Sequence, residues 1–144
     1  MYIKGTVKKD EKTKKLTKRL NPGDIALIKH KDLDELAAMS LVEKKVKCVI
    51  NVDETISGKY PNQGPSVLMD SNIPIFEADD IVFETIEEGQ TIEINGNDII
   101  FNGQVVGHCK LLDNNRIKKL LEIGYENLEE ELERFIENTL NYAK

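Results

Sequence analysis

Residues 24–52 read DIALIKHKDLDELAAMSLVEKKVKCVINV, and the parsing of this stretch decides the fold. Asp24 to Ile28 and Val46 to Val52 are apolar runs of strand length. Between them Asp32 has the chemistry of an N-cap, with Glu35 three residues on, a capping box in which Asp replaces Ser or Thr. Leu33, Leu36, Ala37, Ser40 and Leu41 recur at helical spacing, and Lys44 and Lys45 fall where cations favour a helix C-terminus. Strand, helix and strand inside this short span predict a parallel βαβ unit with a right-handed crossover.

The segment after it, DETISGKYPNQGPS (53–66), is dense in turn-forming residues. Chain order puts it at the carboxyl end of a parallel strand, where open α/β sheets place their ligands. Ser57, Gly58, Lys59, Tyr60, Asn62 and Gly64 are therefore the candidate ligand-binding residues, since backbone N–H groups of a Gly-rich turn, one lysine and a following helix N-terminus suit a phosphate or other anion. His30, at the end of the preceding strand, is the polar contributor expected in the same crevice. A well-ordered packing loop is the competing reading. Pro65 to Ser71 predicts a short helix that Asn72 ends, and Ile73 to Glu77 a third, parallel strand.

No catalytic constellation is legible. Asp53 stands where a P-loop needs its first glycine and Tyr60 where it needs Ser or Thr, and no G-x-G-x-x-G occurs. Asp53, Glu54, Asp79 and Asp80 offer oxygen donors for magnesium, but their spacing singles out no metal site. His30 and His108 have no partner at metal-ligand spacing.

Outward from the centre, residues 1–20 read as a weakly structured arm with a strand around Tyr2 to Val7. Residues 1–19 hold eight Lys/Arg against two acids, a solvated face or a contact for phosphate or anionic lipid. After Ala78 the texture changes: TIEI (91–94), DIIF (98–101) and QVVGHC (104–109), separated by Asn95-Gly96-Asn97 and Asn102-Gly103, predict an antiparallel meander. Leu121, Tyr125, Leu128, Leu132, Phe135 and Thr139 then follow a heptad in a long helix over 114–143, with Glu-rich positions between and a bend expected at Gly124. Its stripe packs on the sheet, pairs with a second copy to give a homodimer, or serves as a connector.

A formal net charge of −6 argues against a nucleic-acid binder, and no apolar run has the length of a membrane span. Cys48 and Cys109 lack C-x-x-C spacing and read as reduced, packed thiols; without a secretory leader the chain is expected in the cytoplasm.

TKKLTKRLNPGDIALIKHKDLDELAA (13–38), VINVDETISGKYPNQGPSVL (49–68) and FIENTLNY (135–142) together resemble the amino-terminal region of thiamine-pyrophosphokinase-like proteins, also described as SteA-like cytokinetic-ring proteins. The resemblance implies an α/β module over 1–112, a three-layer β/β/α swivelling-like domain with a short parallel βαβ part and an antiparallel β-meander, followed by a connector helix over 113–144. It also implies that a kinase-like domain follows and that ATP and magnesium belong to that missing domain, with no cofactor in this chain. The expected role is an accessory ligand-binding or docking module, or alternatively a scaffold in cell division that dimerises through the helix.

Overall fold

The computed structural model describes the backbone of residues 1–143 and the side chains of residues 1–142. In chain order the elements are β1 (Tyr2–Asp10), α1 (Thr13–Thr17), β2 (Ile25–Ile28), α2 (Glu35–Glu43), β3 (Cys48–Asn51), α3 (Gly64–Asp70), β4 (Ile75–Ala78), α4 (Asp80–Thr85), β5 (Thr91–Asn95), β6 (Asp98–Phe101), β7 (Gln104–Leu111) and α5 (Asn114–Ala143).

The strands close into one barrel in the order β1-β2-β3-β4-β7-β6-β5. β2, β3 and β4 run parallel, so the βαβ unit at the centre of the sequence is present. The expected three-layer β/β/α arrangement is not. Two strands change partners along their length and thereby join the halves. Tyr2–Thr6 of β1 pairs antiparallel with β5, whereas Val7–Asp10 pairs parallel with β2. β7 likewise pairs with β6 through Gln104–His108 and with β4 through Cys109–Leu111. An antiparallel run at the end of the sequence thus becomes barrel wall rather than a separate layer. Where the strands part, long cations satisfy the freed carbonyls: Lys47 Nζ donates to Lys4 O at 2.8 Å and Arg19 Nη2 to Lys9 O at 2.6 Å.

The alternation along β2 explains why all four of its residues are buried. Ile25 and Leu27 point into the barrel beside Cys48, Ile50, Phe76, Ile92, Ile94 and Ile99, while Ala26 and Ile28 point outward beneath the helices with Leu16, Leu41, Leu68 and Ile117. One core fills the barrel; the second lies between its parallel wall and α1, α2, α3 and the start of α5. Val82 and Ile86, in and just after α4, join the barrel core.

Several local expectations are corrected. Residues 1–20 are not a loose arm: β1 closes the barrel, and α1 buries Thr13 and Leu16. The cap of α2 is Asp34, whose side chain accepts from Ala37 N–H at 2.8 Å, and not Asp32. The buried face of α2 carries Ala38 and Leu41, and Leu36 is 78% exposed: Leu33 is buried but lies before the helix begins, so it does not share the helix's phase. α4 has no signature in the sequence, because six residues are too few to show helical periodicity. No described helix is long and apolar enough to cross a membrane.

Candidate functional site

The hub of the loop after β3 is Asn51, fully buried at the end of that strand. Its Oδ1 accepts from His30 N–H at 3.0 Å and Asp53 N–H at 3.1 Å, and its Nδ2 donates to His30 O at 2.9 Å and Thr55 Oγ1 at 3.1 Å. One side chain therefore ties the end of β2 to the loop. The next tie comes from Asp32, which occupies the left-handed region with φ 52°. Its carboxylate accepts from Ser57 N–H and Ser57 Oγ–H, both at 2.8 Å. Asp and Asn tolerate that backbone better than other residues with a side chain, and charged acceptors make the stronger hydrogen bonds.

Further along, Thr55 N–H donates to Glu77 Oε2 at 2.8 Å, and Arg116 of α5 holds Glu77 Oε1 at 2.7 Å. Asn62 is buried, accepts from Gly64 N–H at 2.9 Å and donates to Thr55 O at 3.4 Å. Gly64 presses on the turn before α2: a Cβ there would lie 1.8 Å from Leu33 O. So the loop is shaped by its own residues and by the residues that precede α2.

The outer side of the same loop is occupied by α5. Asn127 Nδ2 donates to Gly58 O at 2.8 Å, and Gln63 Nε2 donates to Tyr125 Oη at 2.9 Å. Gly58, at φ 83°, leaves room for Leu120, and Gly124 lies against the carbonyl of Tyr60. Leu120, Gly124, Tyr125 and Asn127 thus form the seat of α5 on the loop, a group that no local sequence pattern brings together. Gly124 was the available signal: a lone glycine inside a helical pattern marks a close approach as readily as a bend.

The candidate ligand-binding residues accordingly separate. Ser57, Gly58, Asn62 and Gly64 hold the loop and the helix seat. Lys59 is exposed, and its backbone N–H donates to Ser57 Oγ at 3.2 Å. Tyr60 is 43% exposed, and its phenol is held above its ordinary pKa by partial burial first and then by the Asp32 and Asp34 carboxylates. The backbone of His30 is bound to Asn51 at the root of the loop, but its ring is engaged elsewhere. Its Nδ1 is 2.8 Å from Thr13 Oγ1, and it helps line a cleft of about 330 Å³ between α1 and α2 with Lys14, Thr17, Asp34, Leu36 and Ser40.

Asp53, Glu54, Glu77, Asp79 and Asp80 line a shallow depression beside the loop. Among the described residues no group of three His, Cys, Asp or Glu side chains is placed to hold a metal ion. His108 sits far from the loop in sequence and pairs with Asp98 at 3.1 Å on the surface.

Beyond its seat, α5 leaves the body. Leu128, Leu132, Phe135, Ile136, Leu140 and Tyr142 are all exposed, Phe135 by 68% and Tyr142 by 95%. Every described side chain from Leu128 onward is exposed. Of the three fates expected for this stripe, packing on the sheet accounts only for its beginning.

No family model matches the chain, and no curated protein matches it. Among solved structures it is similar to a 3-isopropylmalate dehydratase (leuD) from Methanocaldococcus jannaschii, at a TM-score of 0.53 and 13% identity over 96% of this chain and 99% of that one. A weaker likeness, at a TM-score of 0.41 and 10% identity, covers 92% of this chain and 68% of a structure described among novel cellulases from microbes associated with the gut ecosystem. The first likeness is one of fold, and it overturns the resemblance to thiamine-pyrophosphokinase-like, SteA-like proteins: the chain has the barrel fold seen in that dehydratase structure and not a thiamine-pyrophosphokinase-like or swivelling fold.

Proposed function

We propose that this chain is a non-catalytic docking module in which the barrel and the 53–66 loop hold the root of α5, so that its outer half offers an apolar stripe to a helical partner. The observation that carries this is the contrast along one helix. Residues 117–127 are seated on the body by Ile117, Leu120, Gly124 and Asn127, whereas the six apolar side chains from Leu128 to Tyr142 touch water. A lone helix of this amphipathic kind gains most of its stability from packing of its apolar face. Such a stripe on an otherwise well-closed domain marks an interaction surface.

Amide exchange along α5 tests the reading, with the native chain compared to Leu132→Glu. With the stripe covered, amides 128–142 are protected by a margin that Leu132→Glu abolishes, while amides 114–124 are unchanged. Fast exchange over 128–142 in both proteins, at high concentration and in cell extract alike, sinks it.

A second reading, ligand binding, has the cleft beside His30 in its favour. Titration with inorganic phosphate and with magnesium ATP, following the amides of His30 and of residues 55–66, tests it. Absence of shifts at both places counts against a ligand there.

A further inference from the structure

We infer that the partner of the outer half of α5 is the same segment of a second copy of this chain, running antiparallel, with Leu132 of each copy opposite Phe135 of the other. The inference rests on the docking reading above and adds the occupant, the direction and the register.

Hydrophobic spacing comes first. Tyr125, Leu128, Leu132, Phe135, Thr139 and Tyr142 alternate steps of three and four residues, the spacing of a two-helix seam. With Leu132 placed against Phe135 of an antiparallel copy, Leu128 falls opposite Thr139 and Tyr125 opposite Tyr142. Every seam position then meets a seam position, with Ile136 and Leu140 outside the seam.

Charge then selects direction. Residues 122–133 carry six glutamates (122, 126, 129, 130, 131 and 133) and no cation, whereas 134–142 carry only Arg134 and Glu137. A parallel pair would lay the two acidic blocks side by side, where like charges repel. In the antiparallel register each acidic block lies along the other copy's near-neutral block. Beside the seam Glu131 then meets Asn138 and Glu129 meets Ile136, so no two glutamates flank the same layer. The register set by the apolar spacing and the arrangement preferred by charge are the same one.

Shape agrees with the spacing. Phe135, Asn138, Thr139 and Tyr142 line one shallow, mainly apolar depression on α5. Four residues at these offsets are the hole into which a facing helix inserts a knob. The register above puts Leu128 of the second copy over the centre of that hole. The overlap from 125 to 142 is about 27 Å at 1.5 Å per residue, roughly five helical turns.

Light scattering and disulfide trapping test this on the full chain. Native protein is expected to reach twice the 16.4 kDa of one chain as concentration rises. Leu132→Glu is expected to return it to the single-chain mass. Two exposed positions then read the direction: Leu128→Cys and Thr139→Cys are prepared separately and oxidised alone and mixed. The antiparallel register predicts cross-linked dimers only in the mixture, because each position is about 16 Å along the axis from its own counterpart at 1.5 Å per residue. Cross-linking of Thr139→Cys with itself, and none in the mixture, overturns the direction.

Single-chain mass at all concentrations overturns the inference as a whole. If amides 128–142 of that single chain nevertheless become protected in cell extract, the docking reading survives with a different partner. If they stay unprotected there, both fall.

Discussion

Gly124 lies so close to Tyr60 that a Cβ on it would stand 2.4 Å from the Tyr60 carbonyl oxygen. Helix propensity alone favours alanine over glycine by about 1 kcal/mol. The contact opposes it with backbone atoms, which cannot move aside as the end of a flexible side chain can. Gly124→Ala is therefore expected to destabilise the protein by about 1–3 kcal/mol, the usual cost of overpacking. Urea unfolding measures it, and amide exchange at Gln63 and Asn127 should quicken as the seat loosens. A raised unfolding midpoint would show that propensity wins and that the helix is not seated there.

Asp32 and Asp34 differ in role although they stand two residues apart. Asp34→Ala removes an N-cap and is expected to cost about 1 kcal/mol. Asp32→Ala strips Ser57 of both acceptors and leaves alanine at positive φ. Its cost is expected to be larger, about 2–4 kcal/mol, from unpaired donors together with backbone strain. Asp32→Asn keeps an acceptor and a residue tolerant of that φ, so it should recover part of the loss. Equal effects of the two alanine variants in thermal unfolding would contradict this division of labour.

Both thiols are held protonated by the barrel. Burial raises Cys48 to about 12, with a smaller contribution from the neighbouring Cys109 thiol partly offset by Lys47. Cys109 is raised to about 11, by burial first and then by Asp98. From an ordinary value of 9.0 upward the unfolded chain releases these protons while the folded chain keeps them. Their stabilising contribution is therefore complete below about pH 9 and is lost as pH rises through the folded values. For Cys48 the slope is about 1.4 kcal/mol per pH unit across that window. Unfolding free energies of native and Cys48→Ala proteins between pH 8 and pH 11 check this: the native curve should fall more steeply. A thiol-specific reagent at pH 8 should label neither cysteine until the barrel opens.

The elements around the centre of the sequence were legible because their signals are local. The apolar runs at 25–28 and 48–51, the turn glycines and the Pro65 helix start all act within a few residues. Asn102 and Gly103 both take positive φ between β6 and β7, as an Asn-Gly hairpin turn requires. Barrel closure was not legible, because it depends on β1 pairing across ninety residues with β5 and on β7 dividing its length between two partners. No local pattern distinguishes such a strand from one that pairs on a single side. Asp32 misled for a related reason: Asp suits an N-cap and a positive-φ turn equally, and only the distant Ser57 decides between them. The loop was identified as a structured site, but what lies against it is α5, some sixty residues later in the chain.

Asn51 is the side chain on which the whole site converges, and its amide is used in full. Two N–H groups point at Oδ1, while Nδ2 reaches the His30 carbonyl and Thr55. Asn51→Asp keeps the size and the first two bonds, but replaces the donor by a second oxygen facing the His30 carbonyl in a fully buried position. Repulsion and the desolvation of a buried carboxyl then act together, and the expected loss is about 3–5 kcal/mol at neutral pH. Protonation restores a donor at that position, and because burial and the facing carbonyl raise the folded carboxyl above its ordinary value, the deficit relative to native protein should narrow as pH falls from neutral and change no further below about 4. Asn51→Ala cannot respond in this way: it leaves the His30 and Asp53 N–H groups without an acceptor at every pH. Unfolding curves of the three proteins between pH 4 and pH 8 separate the cases. A constant deficit for Asn51→Asp would mean that the Nδ2 donation to His30 is not what holds the loop to the end of β2.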